Sequence, residues 1–582
     1  MQTTELQTSS NTLKLSVKTI ISYSLGHIHN DLCASMWFTY LLYFLTQNIG
    51  FSGVKASNLL LIGQVTDGLA TPIVGIVSDK FKGFFGYSKR KSWHLLGTIL
   101  TASSFPFIFH KCLFHSERDL EIFTTESTGI TTSVSLTSIL SSKNYDGQDG
   151  GLSKQQTSYD ALIMFLYYVP FIIIFQIGWA INQINHFAII PELTADEGEK
   201  NTLVTARQSC CILANIGVYL ATSGLVADGE KIGDNHDGPD QHINLKVFQS
   251  LALAVTIIGL MFSTIFHLGV KEKNDEEVRE IYNLSRENQE PRYRSGSGSN
   301  TINENELDWD QNNTQSSLFT WFKKPTFYTT ALSYLCARLV GNFLMIFGPV
   351  YTTETLTFLP KRWVGYVPLI MYISGFCMTF LVKFISKVKK GVQISYLIGT
   401  IATILGCFGV IGLGWSATAT TTSPNGDAPI WSVILVFIIF GLGSNALIVS
   451  SMELITELIG SKTISGGFVF GFMSLIDKIG NGILVVLVEI FAPCGNHTNN
   501  ENCPEKEISR KSGYFENLLS YGIGMFAVVG IVGVLIQMVV IRVANRRTFR
   551  PRRNSGRDRV PEFVIDDEDY DEDEAIERSS LI

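Results

Sequence analysis

Charge is scarce in this chain. Asp, Glu, Lys and Arg make up 17% of 582 residues, against 46% hydrophobic ones that include 38 Phe, and the mean hydropathy is positive. So little charge cannot clothe a soluble surface, and a membrane protein is expected. Other signatures are missing: the sequence holds no metal-ligand spacing, no nucleotide-binding glycine loop and no nucleophile arrangement. An enzyme is therefore not expected, nor a cofactor, nor a metal. The formal charge of −7 lends no support to a nucleic-acid partner. It is also uneven, because 566–577 carries nine acidic residues without a Lys or Arg, and without them the balance is +2. Such a run reads as a solvated tail.

What is abundant is apolar sequence in lengths of about 20 residues, the number that crosses a hydrocarbon core. Twelve such segments stand at 19–45, 57–78, 93–111, 159–188, 205–225, 246–269, 326–352, 363–384, 392–415, 430–452, 464–491 and 517–543, far more than a signal peptide explains. A polar stretch rich in Glu, Asn, Ser and Gly separates the first six from the last six and cannot build a core. The expected division is an N-terminal segment 1–18, a six-helix bundle 19–270 interrupted by a loop at 112–158, a linker 271–320, a second six-helix bundle 321–543 and a tail 544–582, basic and then acidic.

The halves repeat each other weakly. Ser22-Tyr23 with His27 and Asp31 recurs 311 positions later as Ser333-Tyr334 with Arg338 and Asn342; Leu95 to Ile99 recurs as Leu397 to Ile401; Glu192-Leu193 matches Glu453-Leu454. In order and in corresponding helices, these matches point to an all-α membrane protein of two pseudo-symmetric six-helix bundles, the sequence trace of a transporter with a central site.

Orientation follows from Lys and Arg in short loops. Lys80, Lys82, Lys89, Arg90 and Lys91 follow the second span, Lys387, Lys389 and Lys390 the eighth, and eight Arg lie between Arg542 and Arg559. Those loops are assigned to the cytosol, and both termini with them. Cys494 and Cys503 then fall on the opposite, oxidising side, flanking a glycosylation signal at Asn496; a disulfide between the two is expected. The signals at Asn283 and Asn312 fall in the cytosolic linker and are expected to be silent.

Ionisable residues inside the spans carry the functional signal. A charge at the bilayer centre costs at least ~2.5–3.5 kcal/mol, so such residues face a partner or a wet cavity. Asp31, Asp67, Arg338, Asp477 and Lys478 share one depth near the middle of spans 1, 2, 7 and 11, and Arg207 near the cytosolic end of span 5 would complete the balance. Helical spacing puts His27 on the face of Asp31, Gln64 and Thr71 on that of Asp67, and Asn481 on that of Asp477 and Lys478. Adjacent residues point about 100° apart, so Asp477 and Lys478 are expected to face different neighbours. Two readings compete: a buried lock between the halves, which apolar packing would replace without the desolvation penalty, and a midplane site for a hydrophilic solute. Asp79, Arg90 and Lys91 suit a gating latch on the cytosolic side, with Gly75 ahead of them; Trp37, Tyr40 and His186 are candidate solute contacts, although packing is the plainer reading of a lone aromatic.

Twelve helices, the pattern from Gly75 to Lys91, the His-Asn-Asp of the first span and the lysine of the eleventh resemble the major facilitator superfamily, in its sugar-cation symporter branch typified by the melibiose carrier. In that branch Asp31, Asp67 and Lys478 match functional positions. Thr71 stands where the branch has a second helix-2 aspartate tied to cation coupling, and Gln183 where it has a helix-4 aspartate for the sugar. The runs GHIHNDLCASMWFTYLL, GQVTDGLATPIVG, KSWHLLGT, FPFIF, IPEL, PLIMYISGF and MSLIDKIGNG are similar to a narrower subfamily, lysosomal and melanosomal membrane proteins required for cysteine import. The resemblance implies an alternating-access carrier of cysteine with protons as a possible coupling ion, membrane lipid around it, and a midplane site drawn from Asp31, Asp67, Arg338, Asp477, Lys478, Asn30, Gln183, Asn481, His27 and Trp37. A symporter of another small polar solute and a non-transporting scaffold on a carrier fold remain as alternatives. The chain's last six residues, with Glu577, Leu581 and Ile582, form an acidic dileucine-like signal of the kind that clathrin-adaptor type sorting proteins read.

Overall fold

The computed structural model describes residues 15–80, 83, 87–113, 149–194, 196–233, 245–271, 321–386, 388, 390–420, 430–459, 466–495 and 505–548. Within them the chain is helical, as lipid demands of a backbone that has no water to bond. Helix α1 comprises Val17–Leu25 and Ile28–Tyr43 and ends in a π-helical turn, Phe44–Asn48. The next helices of the first half are α2 (Gly53–Lys80), α3 (Lys89–Ile108), α4 (Asp149–Ala188), α5 (Glu197–Gly233) and α6 (Leu245–Gly269). The second half holds α7 (Pro325–Glu354), α8 (Trp363–Ile385), α9 (Gly391–Thr420), α10 (Ile430–Ile459), α11 (Gly466–Phe491) and α12, which runs from Glu505–Asn517 through a π-helical turn at Leu518–Gly522 into Ile523–Thr548.

Ten of these helices are long and apolar enough to cross a membrane. The other two expected spans are present but differ locally. The span at 19–45 is not one continuous helix: α1 breaks at Gly26–His27, where α6 presses so close that a Cβ on Gly26 would lie 2.5 Å from the Phe266 ring. The carbonyl released by the break is taken by His94 Nε2 at 3.1 Å, which satisfies it inside the fold. The α3 span opens with Lys89-Arg90-Lys91 and carries a Thr-Ala-Ser-Ser run, which lowers its hydropathy. Several expected boundaries also move: α4 begins at Asp149, inside the expected loop 112–158; α5 begins eight residues before 205; and α12 begins at Glu505 rather than 517.

The halves meet along three helix pairs, α1 with α7, α2 with α11, and α5 with α8. Small residues permit the approach. A Cβ on Gly482 of α11 would fall 2.7 Å from Leu61 Cδ1 on α2, and Gly365 of α8 lies directly against Ser223 and the Tyr219 carbonyl of α5. We call the membrane face that carries both chain ends the terminal face and the opposite one the loop face. At the loop face Gln47 Nε2 donates to Glu354 Oε1 at 3.1 Å, Lys511 pairs with the same oxygen at 3.0 Å, and the Val54 amide donates to the Gly495 carbonyl at 3.1 Å. A cavity of about 400 Å³ opens there, lined by Gln47, Asn48, Glu489, Cys494 and Lys511 among others.

Candidate functional site

Midway along α2 and α11, Lys478 Nζ lies 2.7 Å from Asp67 Oδ2, and it donates to Thr71 Oγ1 at 3.0 Å. Thr71 sits one turn beyond Asp67 and also donates to it, 3.2 Å from Oδ1 and 2.8 Å from the backbone carbonyl. The lysine of one half is thus held by a carboxylate and a hydroxyl of the other, with Asp67 buried and Lys478 half-buried. Thr71, which sequence comparison marks as a missing acid, is a working ligand of that ammonium. Its signal was in plain view, since it lies four residues after Asp67 on the same face.

Asp477, one residue before Lys478, turns the other way. Its Oδ2 accepts from Arg338 Nε at 2.9 Å and its Oδ1 from Asn342 Nδ2 at 3.3 Å, both on α7. Arg338 and Asn342 are four apart, so one face of α7 clasps both oxygens of a single carboxylate. The two adjacent charges of α11 therefore serve different partners, one within its own half and one across the interface. Asn481, a turn further along, is buried, and its Oδ1 has no hydrogen-bond partner among the described residues.

In the first half, Asp31 Oδ1 lies 2.9 Å from His27 Nδ1, while Asp31 Oδ2 is buried with no partner within hydrogen-bond geometry among the described residues. Asn30 is tied to α4: its Nδ2 donates to the Trp179 carbonyl and its Oδ1 accepts from Asn182, each at 3.1 Å. Asn182, not singled out from the sequence, is thus the partner that holds Asn30. Gln183 is occupied too, accepting from Trp179 Nε1 at 3.1 Å. Ser35 and Asn215 join α1 to α5 at 2.5 Å, and Tyr219 of α5 reaches Met345 Sδ of α7 at 4.0 Å.

Four candidates sit elsewhere. Trp37 is 1% exposed, with its ring against Phe175 and its edge over Gly63; the structure makes it core of the first half rather than a wall of the polar group. Tyr40 is buried against Tyr219 and Phe248. His186 stacks on Tyr23 at 4.3 Å, with its Nε2 on the Tyr23 carbonyl at 2.8 Å. Arg207 is not paired with the midplane acids: its guanidinium lies over the Phe187 ring at 4.1 Å.

At the terminal face Arg90 Nε pairs with Glu192 Oε1 at 3.1 Å and its Nη1 donates to Ser78 Oγ at 3.1 Å. Lys91 Nζ donates to the carbonyls of His267 and Val270, 2.8 Å each, where α6 ends and cations are favoured. These bonds fasten α2, α3, α6 and the short helical turn Ile190–Leu193 that follows α4 to one another within the first half. Asp79 belongs to α2, but its side chain lies outside the described residues, as do Asn496, Cys503, Glu577, Leu581 and Ile582. Cys494 is disulfide-bonded.

Comparison with known proteins gives one answer at every level. Residues 22–143 match the family described as MFS/sugar transport protein. The horse (Equus caballus) protein named major facilitator superfamily domain-containing protein 12 is 34% identical over 82% of this chain and 86% of its own, and the mouse (Mus musculus) protein of that name is 32% identical over 91% and 95%. In fold, the chain is similar to the xylose transporter of E. coli, with a TM-score of 0.52 at 12% identity over 89% of this chain and 95% of that one. A dozen helices in two halves, charges gathered where those halves meet and a third of all residues shared along nearly the full length have one source: the chain belongs to the major facilitator superfamily domain-containing protein 12 family and is a multi-pass membrane transporter.

Proposed function

We propose that this protein is an alternating-access carrier that takes cysteine from the cytosol into lysosomes or melanosome-like organelles, with both termini cytosolic. The observation that carries the reading is the Asp67–Lys478 pair, an ion pair with a buried carboxylate and a half-buried ammonium that bridges the two halves at the midplane. As a static lock such a pair is poorly suited, because apolar packing would hold the halves without the desolvation penalty. As a site it suits a zwitterion. Cysteine brings an ammonium that Asp67 or Asp31 can accept and a carboxylate that Lys478 or Arg338 can accept, so it replaces the bonds it breaks and lets the halves separate around it. Gln183 in place of an acid, already occupied by Trp179, speaks against a sugar. Cysteine itself comes from the family resemblance, since any small zwitterion satisfies the same pairs.

The bonds between the halves run from this pair to the loop face, through Gln47–Glu354 and Val54–Gly495. That arrangement suits a carrier closed toward the lumen and receptive toward the cytosol, given the orientation that the Lys and Arg of the short loops favour. The deciding measurement is uptake of labelled cysteine into isolated organelles, with unlabelled cysteine, cystine, a sugar and other amino acids as competitors. Competition by cysteine and not by the sugar supports the reading. Failure of cold cysteine to compete would overturn it.

A further inference from the structure

Five of the ten histidines in the chain gather at the terminal third of the first half, drawn from four helices. They are His27 and His29 on α1, His94 on α3, His186 on α4 and His267 on α6. We propose that this cluster is a proton path joining Asp31 to the terminal face, and that the carrier exchanges a proton for its solute through it. The inference rests on the transport function proposed above and adds the coupling ion and its route.

The hydrogen bonds fix the tautomers. The carbonyl of Gly26 only accepts, so His94 Nε2, 3.1 Å away, carries a hydrogen, and His94 Nδ1 accepts from His267 Nε2 at 3.2 Å. The Tyr23 carbonyl likewise holds the hydrogen on His186 Nε2, leaving Nδ1 as a bare, buried acceptor without a partner among the described residues. Asp31 holds the hydrogen on His27 Nδ1, leaving Nε2 bare in the same way. His186 and His27 thus each keep one nitrogen able to take a proton, and His94 takes one at Nδ1 from His267; to pass it on, His94 Nε2 must leave the Gly26 carbonyl, as the rings of an imidazole relay turn between transfers. The rings follow one another at centroid separations of 5.1 Å from His267 to His94, 5.9 Å to His186 and 5.5 Å to His27, and His27 touches Asp31. The two wider steps are of a size that one bridging water spans. His267 is half-buried at the end of α6, so the path reaches the terminal face.

Charged and titratable groups surround the path: Arg207 of α5 acts on both His27 and His186, and Cys33 of α1, Cys210 and Cys211 of α5 and Tyr372 of α8 lie within reach of the Asp31 charge. Lys91 of α3 acts on His267, Tyr23 covers His186, and His29, packed against Gly259, bears on His94. From the hydrogens shown, a proton taken up on His27 Nε2 lets Nδ1 pass its own to Asp31, and the reverse step returns a proton from Asp31 through the ring, so one proton leaves at the terminal face and no group is oxidised or reduced. With a cytosolic terminal face and an acidic lumen, the direction that drives solute inward is proton exit by this route.

The test uses the full-length protein in liposomes loaded with a pH-sensitive dye, measuring cysteine-dependent proton flux beside exchange of labelled for unlabelled cysteine without a pH gradient. His94→Gln keeps a donor for the Gly26 carbonyl but removes the relay, and His267→Gln does so at a half-exposed position where folding is not at stake. Either variant is expected to exchange cysteine as wild type does while proton flux falls at least about tenfold. Should His94→Gln not exchange, His267→Gln decides. Wild-type proton flux in the variants, or wild-type protein that exchanges cysteine with no proton flux, overturns the path and leaves the carrier intact. A wild-type protein that does not exchange cysteine at all overturns the carrier reading, and this inference with it.

Discussion

Helices α1 and α7 occupy equivalent places in the two halves and began from the same pattern, yet their midplanes differ. Tyr23, His27 and Asp31 on the first correspond to Tyr334, Arg338 and Asn342 on the second. Helix α1 is broken beside its histidine, and His27 and Asp31 bond to each other at 2.9 Å with atoms of both left bare. Helix α7 is continuous, and Arg338 with Asn342 saturates the carboxylate of Asp477. One spacing therefore carries groups whose charge can change, and the other an arginine whose charge is permanent. Lys478 and Asp67 join the two. The division suggests that the first half handles coupling while the second fixes the charge to which a solute carboxylate is drawn.

The largest effect should come from removing the link. Lys478→Ala leaves Asp67 buried without its cation, and losing one partner of such a pair costs about 3–5 kcal/mol. Uptake at matched protein level is expected to fall below detection. Asp67→Asn with Lys478→Gln should recover thermal stability and not uptake, since the uncharged pair restores packing but offers nothing to a zwitterion. Full uptake by either variant would dissolve the proposed division between the halves. Next comes Arg338→Lys, which keeps the charge of α7 but loses the Nε bond to Asp477. A hydrogen bond to a charged group is worth about 1.5–3 kcal/mol, so roughly tenfold or more should appear in KM for cysteine. An unchanged KM would mean that α7 serves packing alone.

Much of this comparison was legible in the sequence, because charge in an apolar segment is a signal that survives without a fold. Asp67, Asp477 and Lys478 stood out by depth, and their divergence followed from the 100° between neighbouring positions. The family and the helical halves were legible through motif runs and apolar lengths. The break in α1 was not, because Gly26 is forced there by Phe266, 240 positions away, and a local pattern holds no trace of such a neighbour. Nor was the histidine cluster, whose members lie at 27, 29, 94, 186 and 267. Each taken alone is an ordinary interior residue; only their common distance from the terminal face would have marked them. Partner choice was hidden for the same reason: Arg207 looked like a countercharge and lies on Phe187, while Gln183 stood among the expected midplane residues and is bonded to Trp179.

A smaller effect is expected from Glu354→Gln at the loop face. Glu354 accepts from Lys511 of its own half and from Gln47 of the other, at partly exposed positions where an ion pair contributes about 0–1 kcal/mol. The substitution should loosen the closure severalfold without harming the midplane. Hydrogen exchange reads it directly, because the Val54 amide is protected only while it reaches Gly495 across the interface. Faster exchange at Val54 with unchanged exchange in α3 would place the effect at the closure. Equal slowing or quickening throughout would make Glu354 a general stability residue.

The smallest effect tests whether an aromatic on α1 belongs to the site or to the core. Trp37 lies on the same helix as Asp31, but six residues on, and the ring points into the first half against Phe175 rather than toward α7. Trp37→Phe removes volume beneath Gly63 while keeping an aromatic ring on Phe175, so its cost is that of the small cavity left in the core. The melting temperature should drop slightly, with KM and proton flux unchanged. Were KM to change instead with stability held, the solute would have to approach α2 and α4 through the centre of the first half, and the roles assigned to α1 and α7 would have to be exchanged.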